Sequence, residues 1–349
     1  MKIAVAMSGG VDSSVAAYLL KKANHDITGV TMRHYNFSEQ GFSEKTGIEA
    51  DIADARAVCK KLEIDHQVID VQKEFKQSVI NYFIKEYTQG RTPNPCTYCN
   101  PRIKWGIFLD KIKQQGFEKI ATGHYTIIRK KGNNYLLSRG KDMDKDQSYM
   151  LWGLSQSQLT YTIFPIGSLL KDEVIKLAKK LCIPAHDKQE SQEVCFIPSH
   201  YEKFFRKNIN LVPGDILFKD GKKIGQHKGL QLYTIGQRRG LNTPWHSPLY
   251  VMKIDVGTNS LHVTDDDNDL FKDTFTVQCL NWISPLPEDP SLIKVQTRYN
   301  SIPVRIKSLQ IIEKEIKVIL KNKTRAITPG QSAVFYLDDL LLGGGIIKQ

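Results

Sequence analysis

Two sets of residues in this chain have the types and spacing to do chemistry. The first is Ser8-Gly9-Gly10-Val11-Asp12-Ser13-Ser14, close to the N-terminus. A glycine turn entering a helix aims backbone N–H groups at the positive end of the helix dipole, an arrangement that suits a phosphate. The glycines permit close approach, and Ser8, Ser13 and Ser14 add hydroxyl donors. No Gly-Lys-Ser/Thr follows, so this is not a Walker A loop, and the spacing is not the G-x-G-x-x-G dinucleotide fingerprint. The second set is sulfur. Cys99 closes Thr92-Pro93-Asn94-Pro95-Cys96-Thr97-Tyr98-Cys99, followed by Asn100-Pro101. Asn100 and Pro101 read as an N-cap with proline at the first helical position, and Ile103, Ile107 and Phe108 continue that helix. Cys99 is then expected just ahead of a helix N-terminus. There the dipole, with Lys104 about one turn on, would lower its pKa below the free value of about 8.5 and make it a nucleophile. Cys195 lies in Ser191-Gln192-Glu193-Val194-Cys195-Phe196-Ile197-Pro198, where a core thiol and a functional thiol read equally well. Cys96 makes Cys-x-x-Cys with Cys99, a motif that zinc and redox sites share.

The elements that must position these groups alternate along the first half. Strand-like runs at Ile3–Met7, Ile27–Met32, His66–Val71 and Glu118–Thr122 are separated by helical patterns. The helices run from about Asp12 to Ala23, from about Ile48 to Leu62, and through Phe75, Val79 and Tyr82. The expected fold class is α/β, a parallel sheet with helices on both faces. Ligands of such sheets sit beyond the carboxyl ends of the strands, where the opening loop, Met32, Gly123 and His124 all fall. The stretch Lys141–Tyr149 is a charged connector by composition, and Leu170, Val174, Leu177 and Leu181 mark a helix with lysines outward. Near residue 205 glycine, proline and two-residue alternation take over. Short strands at Phe275–Trp282, Ile293–Arg298, Val304–Ser308, Ile316–Leu320 and Ala333–Leu337 suggest a small barrel or sandwich, with Cys279 in its core beside Phe275 and Val277. The expected division is a catalytic domain over 1–204, a small central domain over 205–270 and a β-barrel over 271–349.

The 349 residues carry 49 Lys plus Arg against 37 Asp plus Glu, a net charge of +12. That excess points to a polyanion, and to nucleic acid before membrane, because no basic amphipathic helix dominates. No apolar run approaches the roughly 20 residues of a membrane span, and no secretory signal opens the chain. Six cysteines without a signal read as reduced thiols in a cytoplasmic protein.

Taken together these strings resemble a known family. Ser8–Ser14 looks like the PP-loop of the ATP-pyrophosphatase superfamily. Thr92-Pro93-Asn94-Pro95 running to Cys99-Asn100, Ala121-Thr122-Gly123-His124-Tyr125, Lys145-Asp146-Gln147-Ser148-Tyr149, Cys195-Phe196-Ile197, Thr328-Pro329-Gly330-Gln331-Ser332-Ala333 and Leu342–Ile347 resemble the tRNA-specific 2-thiouridylase (MnmA) family, in order and from end to end. The resemblance implies ATP-dependent thiolation of the wobble uridine in the anticodon stem-loop of tRNA. The uridine C2 oxygen would be adenylated, and pyrophosphate and then AMP released. It implies ATP on Ala6, Met7, Ser8, Gly9, Gly10, Val11, Asp12, Ser13, Met32 and Gly123, with Asp12 helping to hold Mg2+. Cys195 would carry a persulfide received from a cysteine desulfurase or sulfur carrier. Cys99 would attack it or resolve the intermediate as a Cys99–Cys195 disulfide. Asn94, Pro95 and Cys96 would border the target base. His124, Lys145, Asp146, Gln147, Arg298, Tyr299 and Gln331 would contact tRNA.

Some alternatives stay open at this level. Cys96, Cys99 and Cys195 could instead hold an iron–sulfur cluster, as related PP-loop tRNA thiolases do. A small-molecule PP-loop synthetase fits the opening loop but not the basic balance or the cysteines. A non-catalytic RNA-binding protein fits the charge but not the intact loop.

Overall fold

The computed structural model describes residues 1–35, 47–183, 194–197 and 201–348. Ser191, Gln192, Glu193 and Pro198 lie outside the described residues. Strand β1 (Lys2–Ala6) is almost wholly buried, as a central parallel strand must be. It pairs in parallel with β2 (Asp26–Arg33) and β4 (Lys119–Thr122). Strands β3 (His66–Asp70) and β7 (Thr162–Ile163) complete the order β3-β2-β1-β4-β7. Helix α1 (Val11–Lys22) buries Val11, Val15, Ala16 and Leu20 against this sheet. Helix α2 (Ile48–Lys61) buries Ile48, Ile52, Ala55 and Cys59, the face that its spacing predicts. Cys59 is a core thiol, pushed up to about 11 by burial.

Two helices carry π-type turns. The helix over 72–88, α3, widens at Lys76–Ile80. The helix over 95–114, α4, widens over Asn100–Phe108. In α4 this stretch contains Pro101, which has no N–H to donate, and the backbone kinks at Gly106, with φ −99 and ψ −107.

Beyond the sheet, β8 (Gly214–Phe218), β9 (Lys223–His227), β10 (Tyr250–Asp255) and β11 (Ser260–Thr264) form a four-stranded sheet in the order β10-β11-β8-β9. Strands β12 (Phe271–Trp282), β13 (Ile293–Gln296), β14 (Val304–Ile312), β15 (Glu315–Arg325), β16 (Ser332–Leu337) and β17 (Leu340–Ile347) close into a barrel through the β12–β17 pairing. A hairpin from the first half, β5 (Thr126–Lys131) with β6 (Asn134–Arg139), adds to its edge at Leu340↔Ser138. The Gly132-Asn133 turn between its strands is a local hairpin signal that the sequence reading passed over, while the join of β6 to β17 has no local signal. Cys279 corrects its expectation. It is exposed with φ +54, because β12 breaks register between Gln278 and Asn281 and turns the thiol out of the core.

Candidate functional site

The opening loop is a stapled turn at the carboxyl edge of β1. Ser13 Oγ accepts from Ser8 N at 3.2 Å and donates to Gly10 O at 3.1 Å, while Ser14 Oγ donates to Gly10 O at 2.8 Å. Gly10 is the N-cap of α1 and supplies no side-chain cap bond. The first amides of α1 are left for an anion, as helix N-termini require some partner. Gly9 sits at φ +70, and a methyl group there would stand 2.6 Å from Asp51 O. Gly123 lies against the same turn, where a methyl group would meet Asp12 C and Ser13 N at 2.7 Å. Ala6 and Met32 end their strands beside this edge, half-buried, while Met7 and Val11 are buried beneath it.

Asp12 is less available than its place in the loop suggests. Lys171 Nζ donates to both carboxylate oxygens, at 2.7 and 2.9 Å, and Tyr125 Oη donates to Oδ1 at 2.8 Å. The carboxylate is already neutralised, so as arranged it does not fit a magnesium ligand. Among the described residues no three His, Cys, Asp or Glu side chains stand where a metal could be held. Lys171, at the start of α5 (Lys171–Lys180), is the residue that sequence reading missed. Its only sequence signal is position, at the N-terminus of a helix that otherwise turns lysines to solvent.

The cap of α4 is Asn94, not Asn100. Asn94 Oδ1 accepts from Cys96 N at 3.0 Å and Thr97 N at 3.4 Å, with Pro95 at the first helical position. Asn100 instead donates its side chain to Met150 O at 2.8 Å. Both Asn-Pro steps satisfy the capping rule, and tertiary contact selects the first. Cys99 is therefore one turn inside the helix rather than ahead of it. Its pKa is corrected accordingly: burial pushes the thiol up to about 12, against an opposing pull from Lys104. Burial also raises Cys96, again with Lys104 opposing. Cys195 is raised too, first through burial and then through the charges of Cys96 and Cys99, with Lys104 opposing. Cys96 and Cys195 are nonetheless exposed and Cys99 is half-buried, so the thiols sit in a site open to solvent rather than a sealed one. The mutual influence of the three thiols puts them in one neighbourhood, but not in cluster-ligating geometry. Buried Phe196 anchors Cys195, its ring 5.2 Å from Phe83 and 5.7 Å from Phe75.

A raised pKa means a neutral thiol at neutral pH and a thiolate fraction that grows as pH rises. Alkylation of Cys99 in the free protein is expected to quicken about tenfold per unit from about pH 7 to about pH 9, without a plateau. Site-resolved mass spectrometry of iodoacetamide adducts reads this; a plateau near the free-thiol value would contradict it.

The expected RNA contacts divide. Arg298 is exposed, Tyr299 is half-buried beside the Tyr149 ring, and Lys145 is half-buried on the charged loop. His124 is half-buried, with Nδ1 paired to Thr122 Oγ1 at 2.7 Å and its ring near Trp105 and Phe164. Burial, then Lys104, holds it well below the usual histidine range, so it is a neutral ring and not a phosphate cation. The Asp146 side chain turns inward. It is 6% exposed, bonded to Arg139 Nη1 at 2.7 Å, Gly140 N at 3.0 Å and Ser148 N at 3.0 Å, and its carboxylate is spent inside the protein. Gln147 Oε1 accepts from Tyr125 N at 3.1 Å. Gln331 also points inward, its Nε2 donating to Thr92 O at 2.7 Å. Thr92 N donates to Pro329 O at 2.8 Å, Ser332 Oγ donates to Thr97 Oγ1 at 3.1 Å, and Thr92 Oγ1 reaches Thr234 Oγ1 at 3.2 Å. The thiol-bearing loop is thus held by the barrel and by the segment after β9.

The fold is a parallel α/β sheet with a glycine–serine turn at its carboxyl edge, followed by two β units. Family models cover nearly the whole chain: the tRNA methyl transferase HUP domain over residues 1–199, the tRNA methyl transferase PRC-barrel domain over 202–265, and the aminomethyltransferase beta-barrel domain over 272–347. The tRNA-specific 2-thiouridylase MnmA of Leptospira interrogans is 43% identical over 358 residues, covering 100% of this chain and 95% of that relative. MnmA of Halothermothrix orenii is 41% identical over 355 residues, covering 100% and 99%. Among solved structures, the U34-tRNA thiolase NcsA from Methanococcus maripaludis with its [4Fe-4S] cluster aligns at TM-score 0.35 and 20% identity, over 56% of this chain and 60% of that one. The chain belongs to the tRNA-specific 2-thiouridylase family.

Proposed function

We propose that the protein is an ATP-dependent tRNA-uridine 2-sulfurtransferase acting on the wobble position. What supports this is an anion loop open at the N-terminus of helix α1, together with three thiols that all feel the charge of Lys104. ATP lies on Ala6–Ser13, with Met32 and Gly123 beside it. The loop amides and hydroxyls hold the pyrophosphate as the uridine C2 oxygen takes the adenylyl group, so that AMP becomes the leaving group. Asn94, Pro95 and Cys96 border a base that has left its stack, as its C2 edge must before reaction.

Sulfur comes from a persulfide on Cys195, loaded by a cysteine desulfurase or sulfur carrier. Its terminal sulfur adds at C2 and expels AMP. The Cys99 thiolate then attacks Cys195 Sγ, forming a Cys99–Cys195 disulfide and leaving 2-thiouridine. Alternatively Cys99 attacks first and frees sulfide, which adds at C2. Either order oxidises two thiols, so an external dithiol returns the two electrons before the next turnover. Lys104 favours the thiolate in both orders. The persulfide route uses only thiols that this chain supplies, and no step is assigned to an iron–sulfur cluster or to magnesium at Asp12.

Arg298, Tyr299 and Lys145 are the RNA-facing candidates that remain at or near the surface. Gln331 and Asp146 act from inside, fixing the loops that face the RNA. Pyrophosphate release assayed with and without unmodified tRNA tests the reading. It is expected only with tRNA, and release without tRNA would favour a small-molecule synthetase. Among the described residues no helix is long and apolar enough to cross a membrane.

A further inference from the structure

The surface beside Cys99 carries a feature that the thiolation chemistry does not use. Tyr82 of α3 and Tyr98 of α4 stack with centroids 3.8 Å apart and planes 6° from parallel. The Arg102 guanidinium lies over the Tyr98 ring, 3.9 Å from its centroid. Two groups at these distances cannot share one face of the ring, so the order is Tyr82, Tyr98, Arg102. Tyr82 is the deep end, with burial raising its hydroxyl well above the ordinary value. Arg102 is the exposed end.

Packing α4 on α3 needs only the two tyrosines. The i,i+4 spacing of Tyr98 and Arg102 on α4 lays the arginine flat on the outer ring. Among the described residues the Arg102 guanidinium makes neither a hydrogen bond nor an ion pair, in contrast to Arg91 on Glu86, Arg33 on Glu49 and Arg139 on Asp146. Its outward face is free, and so are its five N–H donors. A plane of that kind takes another plane, and its edge takes a phosphate. Unpaired RNA bases stack on aromatic rings and on guanidinium planes in this manner.

We propose that the Tyr82–Tyr98–Arg102 column is a stacking site for an unpaired nucleobase that flanks the target uridine in the RNA loop. Tyr98 immediately precedes Cys99 in α4, about 100° away around the helix, so the column flanks the turn that carries the thiol. A base seated on Arg102 holds the loop open while its neighbour enters the pocket. The net charge of +12 supplies the long-range attraction, and the column supplies local register. This deepens the proposed function and rests on it.

The test uses an anticodon stem-loop RNA carrying 2-aminopurine on the 3′ side of the target uridine, with a second RNA labelled on the 5′ side. With the wild-type protein one of the two labels is expected to be quenched on binding. Arg102→Ala should remove that quenching and weaken binding about tenfold. Tyr98→Leu should do the same while keeping the helix contact apolar. Arg102→Lys keeps the charge without the plane, so it should restore the salt dependence of binding but not the quenching. Unchanged quenching and affinity in Arg102→Ala, with wild-type protein that thiolates tRNA, would overturn the column alone. A wild-type protein that neither binds nor thiolates tRNA would overturn the function beneath it. If Arg102→Ala leaves RNA binding intact but slows sulfur loading from a protein donor, the surface belongs to that donor and the assignment is wrong.

Discussion

Cys99→Ser and Cys195→Ser are each expected to lower 2-thiouridine formation by about a thousandfold or more, since each removes a sulfur that makes or breaks a bond in the reaction. Neither change should touch the nucleotide edge, because the opening loop is stapled by its own serines. ATP and tRNA affinity should therefore stay within about twofold of wild type. The two variants should differ in what they accumulate. Cys99→Ser should still take a persulfide on Cys195, whereas Cys195→Ser should take none. Mass spectrometry of the protein after incubation with a persulfide donor separates them. Wild-type turnover by either variant would remove that thiol from the mechanism. Cys96→Ser is the informative control. Cys96 stands on the first turn of α4, partly exposed, and the two-thiol route does not need it. A cluster held by three cysteines would.

Gly123→Ala should weaken ATP. The added methyl group would sit 2.7 Å from Asp12 C and Ser13 N, and both are backbone atoms at the start of α1, so no side chain can swing aside. Either the β4 end or the phosphate loop must shift. Overpacking of this kind costs about 1–3 kcal/mol, which corresponds to about five- to 160-fold in affinity if the loop absorbs the displacement. Isothermal titration with ATP reads the change. Thiol reactivity at Cys99 should be unaltered, because the thiol loop hangs from Gln331, Ser332 and Thr234 rather than from α1. An unchanged ATP affinity would mean that the nucleotide does not lie across this turn.

Local pattern carried much of this architecture. The strand–loop–helix at the N-terminus, the parallel sheet and the buried face of α2 follow from period and from glycine and serine placement. So do five of the six barrel strands after residue 271, but not β17, which closes the barrel. What local pattern could not carry is partnership across the chain. Asn94-Pro95 and Asn100-Pro101 are equal candidates for the α4 cap until Met150 claims the second asparagine. Asp146 reads as one charge in a solvated run until Arg139 and the β5–β6 hairpin enclose it. Lys171 has no motif at all and acquires meaning only by lying on Asp12. The Cys99 pKa shows the same limit in energetic form. A helix start argues for a low value, but desolvation in a recessed site is the larger effect and reverses the sign. A site that must react only when RNA is seated gains from that reversal, because its thiols stay protonated and quiet beforehand.

The central claim is that one site activates the base on the opening loop and delivers sulfur from Cys195. Its most direct test is a single-turnover reaction. Protein carrying a radiolabelled persulfide on Cys195, freed of excess donor and shown to contain no iron, is mixed with ATP and unmodified tRNA. The account predicts that the label moves into 2-thiouridine, that AMP and pyrophosphate form in step with it, and that a Cys99–Cys195 disulfide appears. Label that stays on the protein, or that moves only when iron is restored, would contradict it.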